Sequence, residues 1–381
     1  MINQELLNYS LKNLLNRKSR SILTIVSIFI GITAIFIFSS FGYGLYNYMD
    51  SFMSGGAVDK LMIQSKGGTF GIDSSSPLKE EDLETILMSS GVIDASGSFL
   101  RTGEINRHNQ KKYGFLTSLD PEKQYVLELA NLEIKKGRAL KEGDLSKVVL
   151  GHNYLLEDEV FKKPVELNEE LDINNNSFRV VGFLESAGNP EDDSNIYITN
   201  EQYKDMYGDN ESYTMIIAKV NPENMERTIE NIEKNLRNSR DLERGKDDFS
   251  VKSFEEMLES YSMSLDLIIG FIILIALISI IVSAINTSNT MISSVLERTK
   301  EIGIMKAIGA KNSEIFKIFL IESSILGFIS GVVGVGIGFI FTEIAYKILL
   351  GQGWGFLEPY YSWWLFLGCI LFATITGVIS S

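Results

Sequence analysis

Few residues of this chain have the types and spacing that chemistry requires. The two histidines, His108 and His152, stand far apart among polar residues, and each is expected to be exposed or locally bonded. The acidic clusters at 157–159 and 191–193 lack the alternating oxygen ligands and central glycine of a calcium loop, so a solvated face is the better expectation for both. The single cysteine, Cys369, lies in an apolar run, which excludes a disulfide framework and a cysteine-based metal site. No G-x-S-x-G, H-E-x-x-H or Ser/His/Asp arrangement occurs. Catalysis, a metal and a cofactor on this chain are not expected.

What remains is chemistry of binding. Between Asn289 and Ser323 the pattern predicts a long helix running to about Glu297, a short helix over about 299–308, a stop at Gly309, and a new helix capped by Asn312 or Ser313. Apolar Ile302, Ile304, Met305 and Ile308, flanked by Glu301 and Lys306, suit insertion into a groove of a cytosolic partner. On physics alone, a helix lying on the membrane surface without a partner is the slightly better reading. Further along, Gly327/Gly331 and Gly334/Gly338 form small-xxx-small pairs that let helices approach closely in lipid, and a packing role is favoured over a pore lining. Glu322, an acid inside an apolar run, is a functional candidate by position, with a structural hydrogen-bonding role the stronger expectation.

These residues need membrane helices to position them. Apolar stretches over 21–46, about 267–285, about 318–340 and 363–381 are each read as crossing the ~30 Å hydrocarbon layer. The first is too long for a signal-peptide core, and no cleavage site of small residues follows it. The chain stops at the fourth stretch, where a truncated cytoplasmic tail is suspected. Lys12, Arg17, Lys18 and Arg20 precede the first stretch, and Arg298, Lys300, Lys306, Lys311 and Lys317 lie between the second and third, which places both segments in the cytoplasm. Trp354, Tyr360, Tyr361, Trp363 and Trp364 fit an aromatic belt at the outer interface. Leu6, Leu7, Leu11, Leu14 and Leu15 recur at helical spacing, as in an amphipathic helix on the inner leaflet or a cytosolic helix packed on protein.

The expected fold is therefore membrane all-α, with four transmembrane helices, and a mixed α+β extracytoplasmic domain inserted between helices 1 and 2. Its parts are an amphipathic helix (1–20), spans at 21–47, 264–290, 316–346 and 363–381, an outer domain (48–263), a cytoplasmic loop (291–315) and an outer loop (347–362). Within the outer block, strands are predicted at 60–64, 148–150, 171–173, 178–184, 194–198 and 214–220, and helices at 79–89 and 224–237. Ser76 and Pro77 read as the start of the first helix, and Asn174 to Asn176 as a hairpin turn. The net charge of −14 is concentrated in this block, which gives no reason to expect nucleic acid as a partner.

The run from Asn289 through Gly309 resembles FtsX-like and MacB-like ABC permeases, the type VII group that includes the LolCDE and MacB systems. Their pattern N-x-M-x-x-x-V-x-E-R-x-x-E-I-G-x-x-x-A-x-G is met by Asn289, Met291, Val295, Glu297, Arg298, Glu301, Ile302, Gly303, Ala307 and Gly309. Leu14, Arg17, Arg20, Ser21, Leu23, Thr24 and Gly31 resemble the family's elbow helix and first span. Gly137-Arg138, Gly151 and Val180-Val181-Gly182 resemble the later part of its periplasmic core domain. The resemblance implies a permease in the cell membrane, paired with a second permease chain as a homo- or heterodimer. It also implies binding to ABC ATPase subunits through a coupling loop that holds Glu297, Arg298, Glu301, Ile302, Gly303, Met305, Lys306, Ala307 and Gly309. ATP and Mg would sit on the partner ATPase, since no Gly-x-x-x-x-Gly-Lys-Ser/Thr motif occurs here. Membrane lipid and an extracytoplasmic adaptor or substrate protein complete the implied partners. Mechanotransmission to the outer domain, with export or extraction of a lipoprotein, peptide or drug, is the function so implied. The alternative is an FtsX-type regulator of a cell-wall hydrolase that transports nothing.

Overall fold

The computed structural model of the 381-residue chain describes residues 18–53, 58–67, 76–208 and 212–379. The expected amphipathic segment over 1–17 lies outside them. The chain divides into two compact units, one of 1–47, 262–351 and 357–381, the other of 48–261 and 352–356.

The second unit is mixed α and β. Its smaller sheet is antiparallel, with strands β1 (Lys60–Ser65), β2 (Val92–Ser98), β10 (Met215–Val220) and β11 (Phe249–Ser253) in the order β11-β1-β10-β2. Helices α2 (Glu80–Leu87) and α5 (Met225–Ser239) bring Ile86, Ile232 and Leu236 to the same buried cluster as Leu61, Ile63, Ile216 and Val251. Helix α2 begins at Glu80 rather than at Pro77, because Leu78 is buried in a bridge with Tyr213 and must stay extended. Its first turn is closed instead by Asp82, whose carboxylate accepts from the Lys79 N–H at 2.7 Å.

The larger sheet has seven strands in the order β5-β8-β6-β9-β4-β3-β7: β3 (Leu100–Arg107), β4 (Gln110–Leu119), β5 (Ile134–Gly137), β6 (Lys147–Leu150), β7 (Glu170–Ile173), β8 (Asn176–Leu184) and β9 (Ile196–Thr199). Strand β7 also pairs with β8, which brings one end of the sheet back toward the other and leaves little open edge. The turn between β7 and β8 uses Asn174 and Asn175 at φ 50° and 63°, the left-handed geometry a two-residue hairpin needs. Gly137 and Gly182 pair between β5 and β8 just past a bulge at 134–136, and a Cβ on Gly182 would lie 2.2 Å from the Arg138 carbonyl oxygen. Two short helices, α3 (Tyr125–Leu129) and α4 (Asn200–Tyr207), complete this unit.

Between β5 and β6 the chain is held by one carboxylate. Asp144 bonds the guanidinium of Arg138 at 2.5 and 3.1 Å, the ammonium of Lys147 at 2.6 Å and the Lys141 N–H at 3.0 Å. Burial alone would raise its pKa, but these donors hold the carboxyl well below the usual range. A folded-state pKa below the unfolded value gives stability that is present above the ordinary Asp value of about 3.9 and is lost as pH falls below it. Asp144→Asn should lower stability at pH 7 by about 2 kcal/mol and flatten the acid limb of the profile, which thermal unfolding from pH 7 to 3 would measure.

The outer block departs from expectation in two further places. The segment 191–193 is not a solvated face. Asp193 is buried and accepts from the Ser186 hydroxyl and the Ala187 N–H at 2.6 and 2.7 Å, while Asp192, with its pKa raised by burial, bonds Asn189. The cluster at 157–159 is exposed. His108 is exposed in the β3–β4 turn, whereas His152 is half-buried and its Nδ1 is buried with no hydrogen-bond partner among the described residues.

The first unit is helical. Helix α1 (Lys18–Met53) brings Ile28, Ile32 and Phe36 against Val335 of α8 (Asn312–Gly351) and Cys369 and Ala373 of α9 (Trp363–Ile379). Helix α6 (Phe254–Glu297) runs for 44 residues, and the short α7 (Thr299–Ala307) separates it from α8. Among the described residues, 28–50, 254–275 and the whole of α8 are long and apolar enough to cross a membrane. The apolar α9, with 17 residues, is about 26 Å long and falls short of that length. Tyr361, grouped by sequence with the interfacial aromatics, turns inward: its ring stacks on Phe36 and its hydroxyl donates to Glu343 at 2.9 Å. Trp363 and Trp364 remain 83 % exposed.

Candidate coupling site

The site is built where α6 ends. The Arg298 N–H still donates to the carbonyls of Ser294 and Val295 at 3.3 and 3.1 Å, while its own carbonyl accepts the Ile302 N–H at 2.9 Å, so one residue closes α6 and opens α7. The Thr299 hydroxyl donates to the Leu296 carbonyl at 2.7 Å and ties the corner. After nine residues α7 ends at Ala307, and the chain turns away at Gly309, whose φ of +98° is open to glycine at little cost. The Gly309 N–H donates to Lys306 and the Ala310 N–H to Met305, both at 3.0 Å, the paired bonds of a Schellman end. Gly309→Ala should destabilise this end by about 1 kcal/mol and fray α7, read as faster amide exchange at Ile308 and Ala310.

Asn312 and Ser313 do not cap α8 as expected. Both lie inside its first turn, and the Glu314 carboxylate closes that turn by accepting the Lys311 N–H at 3.0 Å. The acid three residues into the helix competes better for the free N–H and also favours the positive end of the helix.

On α7, Ile304 and Ile308 stand one turn apart at 65 % and 82 % exposure. Glu297, Glu301, Gly303, Lys306, Ala307 and Gly309 are exposed as well, whereas Ile302 and Met305, expected on the exposed apolar set, are half-buried. Sequence reading missed Leu296 and Phe316, exposed at 69 % and 58 %, which extend the apolar surface beyond the short helix. Arg298 is unlike its neighbours. It is buried against α8, where its two terminal nitrogens each bond one oxygen of Glu322 at 3.2 Å, and Glu322 is itself 4 % exposed. The two residues are 24 positions apart, and no local spacing signals that they meet.

The glycines of α8 divide between two neighbours. A Cβ on Gly327 would lie 2.6 Å from the Ala373 carbonyl oxygen and one on Gly331 3.0 Å from the Ile370 Cα, both on α9. One on Gly334 would meet Ile32, and one on Gly338 Phe36, each at 3.0 Å on α1. The hydroxyl of Thr33 donates to the Gly334 carbonyl at 3.0 Å. Beside this packed core an apolar cavity of about 720 Å³ opens among α1, α6 and α9, lined by Ile35, Tyr43, Leu277, Trp364, Cys369 and Phe372.

Comparison with known proteins places the chain in a family. The family model described as MacB-like periplasmic core domain matches residues 21–235, and the FtsX-like permease C-terminal model matches residues 273–381. An uncharacterised ABC transporter permease of Methanocaldococcus jannaschii is 30 % identical over 378 residues, covering 99 % of this chain and 93 % of that protein. The uncharacterised ABC transporter permease YknZ of Bacillus subtilis is 25 % identical over 385 residues, covering 98 % and 94 %. The macrolide export ATP-binding/permease protein MacB of Neisseria gonorrhoeae is 28 % identical over 345 residues, covering 87 % of this chain and 52 % of that protein. The chain thus spans about half the length of that relative. With two family models matched along its length, it belongs to the MacB-like and FtsX-like family of ABC transporter permeases.

Proposed function

We propose that this permease couples ATP hydrolysis on a separate ATPase subunit to conformational work in its outer domain, by mechanotransmission along α6, and so exports or extracts an apolar substrate such as a lipoprotein, peptide or drug. The observation that carries the reading is α7: a short helix with exposed Ile304 and Ile308, stopped at both ends and set between two long helices. Such a helix presents one turn of apolar side chains to a groove while its flanking Glu301 and Lys306 stay in water. The ABC permease family implies an ATPase partner to supply that groove. ATP and Mg belong to the partner in this reading.

In the same reading residues 48–263 stand outside the membrane and 291–315 in the cytoplasm. The apolar residues of α6 from Leu267 to Ile285 that stand more than half exposed, Phe271 and Val282 among them, then face lipid or a second permease chain. The apolar cavity in the helical unit supports a substrate with a hydrophobic part, since its volume lies in the range of small-ligand sites.

The test is co-purification of the full chain with its ATPase and measurement of ATP turnover in the reconstituted complex. Glu301→Lys or Gly303→Trp should abolish recruitment or reduce turnover by about tenfold or more. Unchanged recruitment and turnover in both variants would make the coupling assignment wrong.

A further inference from the structure

The buried pair Arg298–Glu322 spans the gap that α7 leaves between the two long helices. Its geometry is that of a clamp: two parallel bonds of 3.2 Å from a planar guanidinium to a carboxylate, both groups about 95 % buried. Burying two charges brings little net stability, and apolar residues of similar volume hold such a site as well or better. What an ion pair adds over an apolar contact is direction and register, because paired bonds do not slide.

Its location gives that property a use. Arg298 is the shared residue of α6 and α7, bonded through its backbone to both. Glu322 immediately precedes Ser323, whose carbonyl oxygen would lie 2.6 Å from a Cβ on Gly377 of α9. Met291 of α6 and Leu326 of α8 are buried in one cluster with Phe319 and Ile325, so the helices around the pair are already in contact. The chain from α7 to α9 is thus continuous through one charged joint followed by close backbone packing.

We infer that Arg298 and Glu322 are positioning residues that lock α7 to α8, so that displacement of α7 by the ATPase is carried into α8 and α9 as well as along α6. This rests on the coupling reading above and specifies a second route for the motion.

The test uses the full chain, reconstituted in phosphatidylethanolamine/phosphatidylglycerol nanodiscs with its unlabelled ATPase and labelled with 5-fluorotryptophan. The chain has three tryptophans, and Trp363 and Trp364 stand at the start of α9. A non-hydrolysable ATP analogue should displace their fluorine lines in the wild type. With the ATPase added to saturation in every sample, thermal stability of Arg298→Met/Glu322→Leu should stay level or rise, while the displacement per bound ATPase falls roughly 3- to 30-fold. The charge-swapped Arg298→Glu/Glu322→Arg chain should restore most of it. Undiminished displacement in the apolar variant overturns the inference, as does failure of the folded swap to restore it. A wild type that binds the ATPase but shows no displacement overturns it and leaves the coupling reading standing. A wild type that binds no ATPase overturns the coupling reading itself.

Discussion

Replacing Arg240 with leucine is expected to destabilise the outer domain by about 3 kcal/mol. Arg240 closes the C-terminal end of α5 and gathers acids from two other segments. Its Nε and one terminal nitrogen bond the two oxygens of Asp82 at 2.8 and 2.7 Å, and its other terminal nitrogen bonds Asp248 at 3.0 Å. Asp82 is 4 % exposed, so removal of the guanidinium leaves a buried carboxylate with, among the described residues, the Lys79 N–H alone to satisfy it. Arg240→Lys should recover part of the loss, since an ammonium supplies charge without the planar fork. Lys246→Ala is the control: its bond to Glu243 is exposed on both sides and should contribute nothing measurable. Thermal unfolding of the full chain, with amide exchange across β1 and β11, separates the three variants. Equal loss in Arg240→Leu and Lys246→Ala would refute the role given to burial.

Gly327→Val is expected to part α8 from α9, at a loss of about 3 kcal/mol. The Cβ would meet the Ala373 carbonyl oxygen at 2.6 Å and the Thr374 Cα at 3.0 Å, and backbone on the facing helix has no rotamer with which to retreat. Gly336, on the same helix, has nothing among the described residues within 4 Å of such a Cβ, so Gly336→Val should be close to neutral. The chain carries its own reporter, because Cys369 is the one cysteine and is 5 % exposed in the core that α1, α8 and α9 share. Maleimide labelling should be slow in the wild type and in Gly336→Val and markedly faster in Gly327→Val. Equal labelling of all three would show that α8 and α9 stay packed without the small residue.

The sequence was informative where a local period carried the structure. Strands β6 to β10 are runs of branched and aromatic residues with apolar partners at every second position, and α5 holds Ile232 and Leu236 one turn apart. Strands β2 to β5 and β11 escaped, the first three because their pattern is weak. VIDASGS is rich in small and acidic residues and becomes a strand through pairing with β10, while β3 and β4 place few apolar residues, such as Ile105 and Leu116, among charges. At the candidate coupling site α7 is legible from its glycine stop and apolar spacing. The ion pair was not, although Arg298 and Glu322 each stood out alone. A partner 24 residues away is fixed by the packing of α6 against α8, which no local period encodes. The acids at 191–193 misled for a related reason: a short run of carboxylates reads as solvated until the loop that wraps it supplies Ser186, Ala187 and Asn189.

The two faces of α8 also set a timetable for biogenesis. Thr33 and Gly334 are 301 positions apart, and the pockets for Ile32 and Phe36 exist only once Gly334 and Gly338 have been made. At ~5–20 residues per second, roughly 15–60 s of synthesis separate the arrival of the first helix in the bilayer from that of its partner. During that interval the whole outer domain emerges and can fold, while α1 stays in lipid with its binding face unfilled. Membrane quality control that recognises orphaned helices would therefore meet this chain at one predictable stage, and variants that slow the outer domain would lengthen the exposure of a helix they never touch.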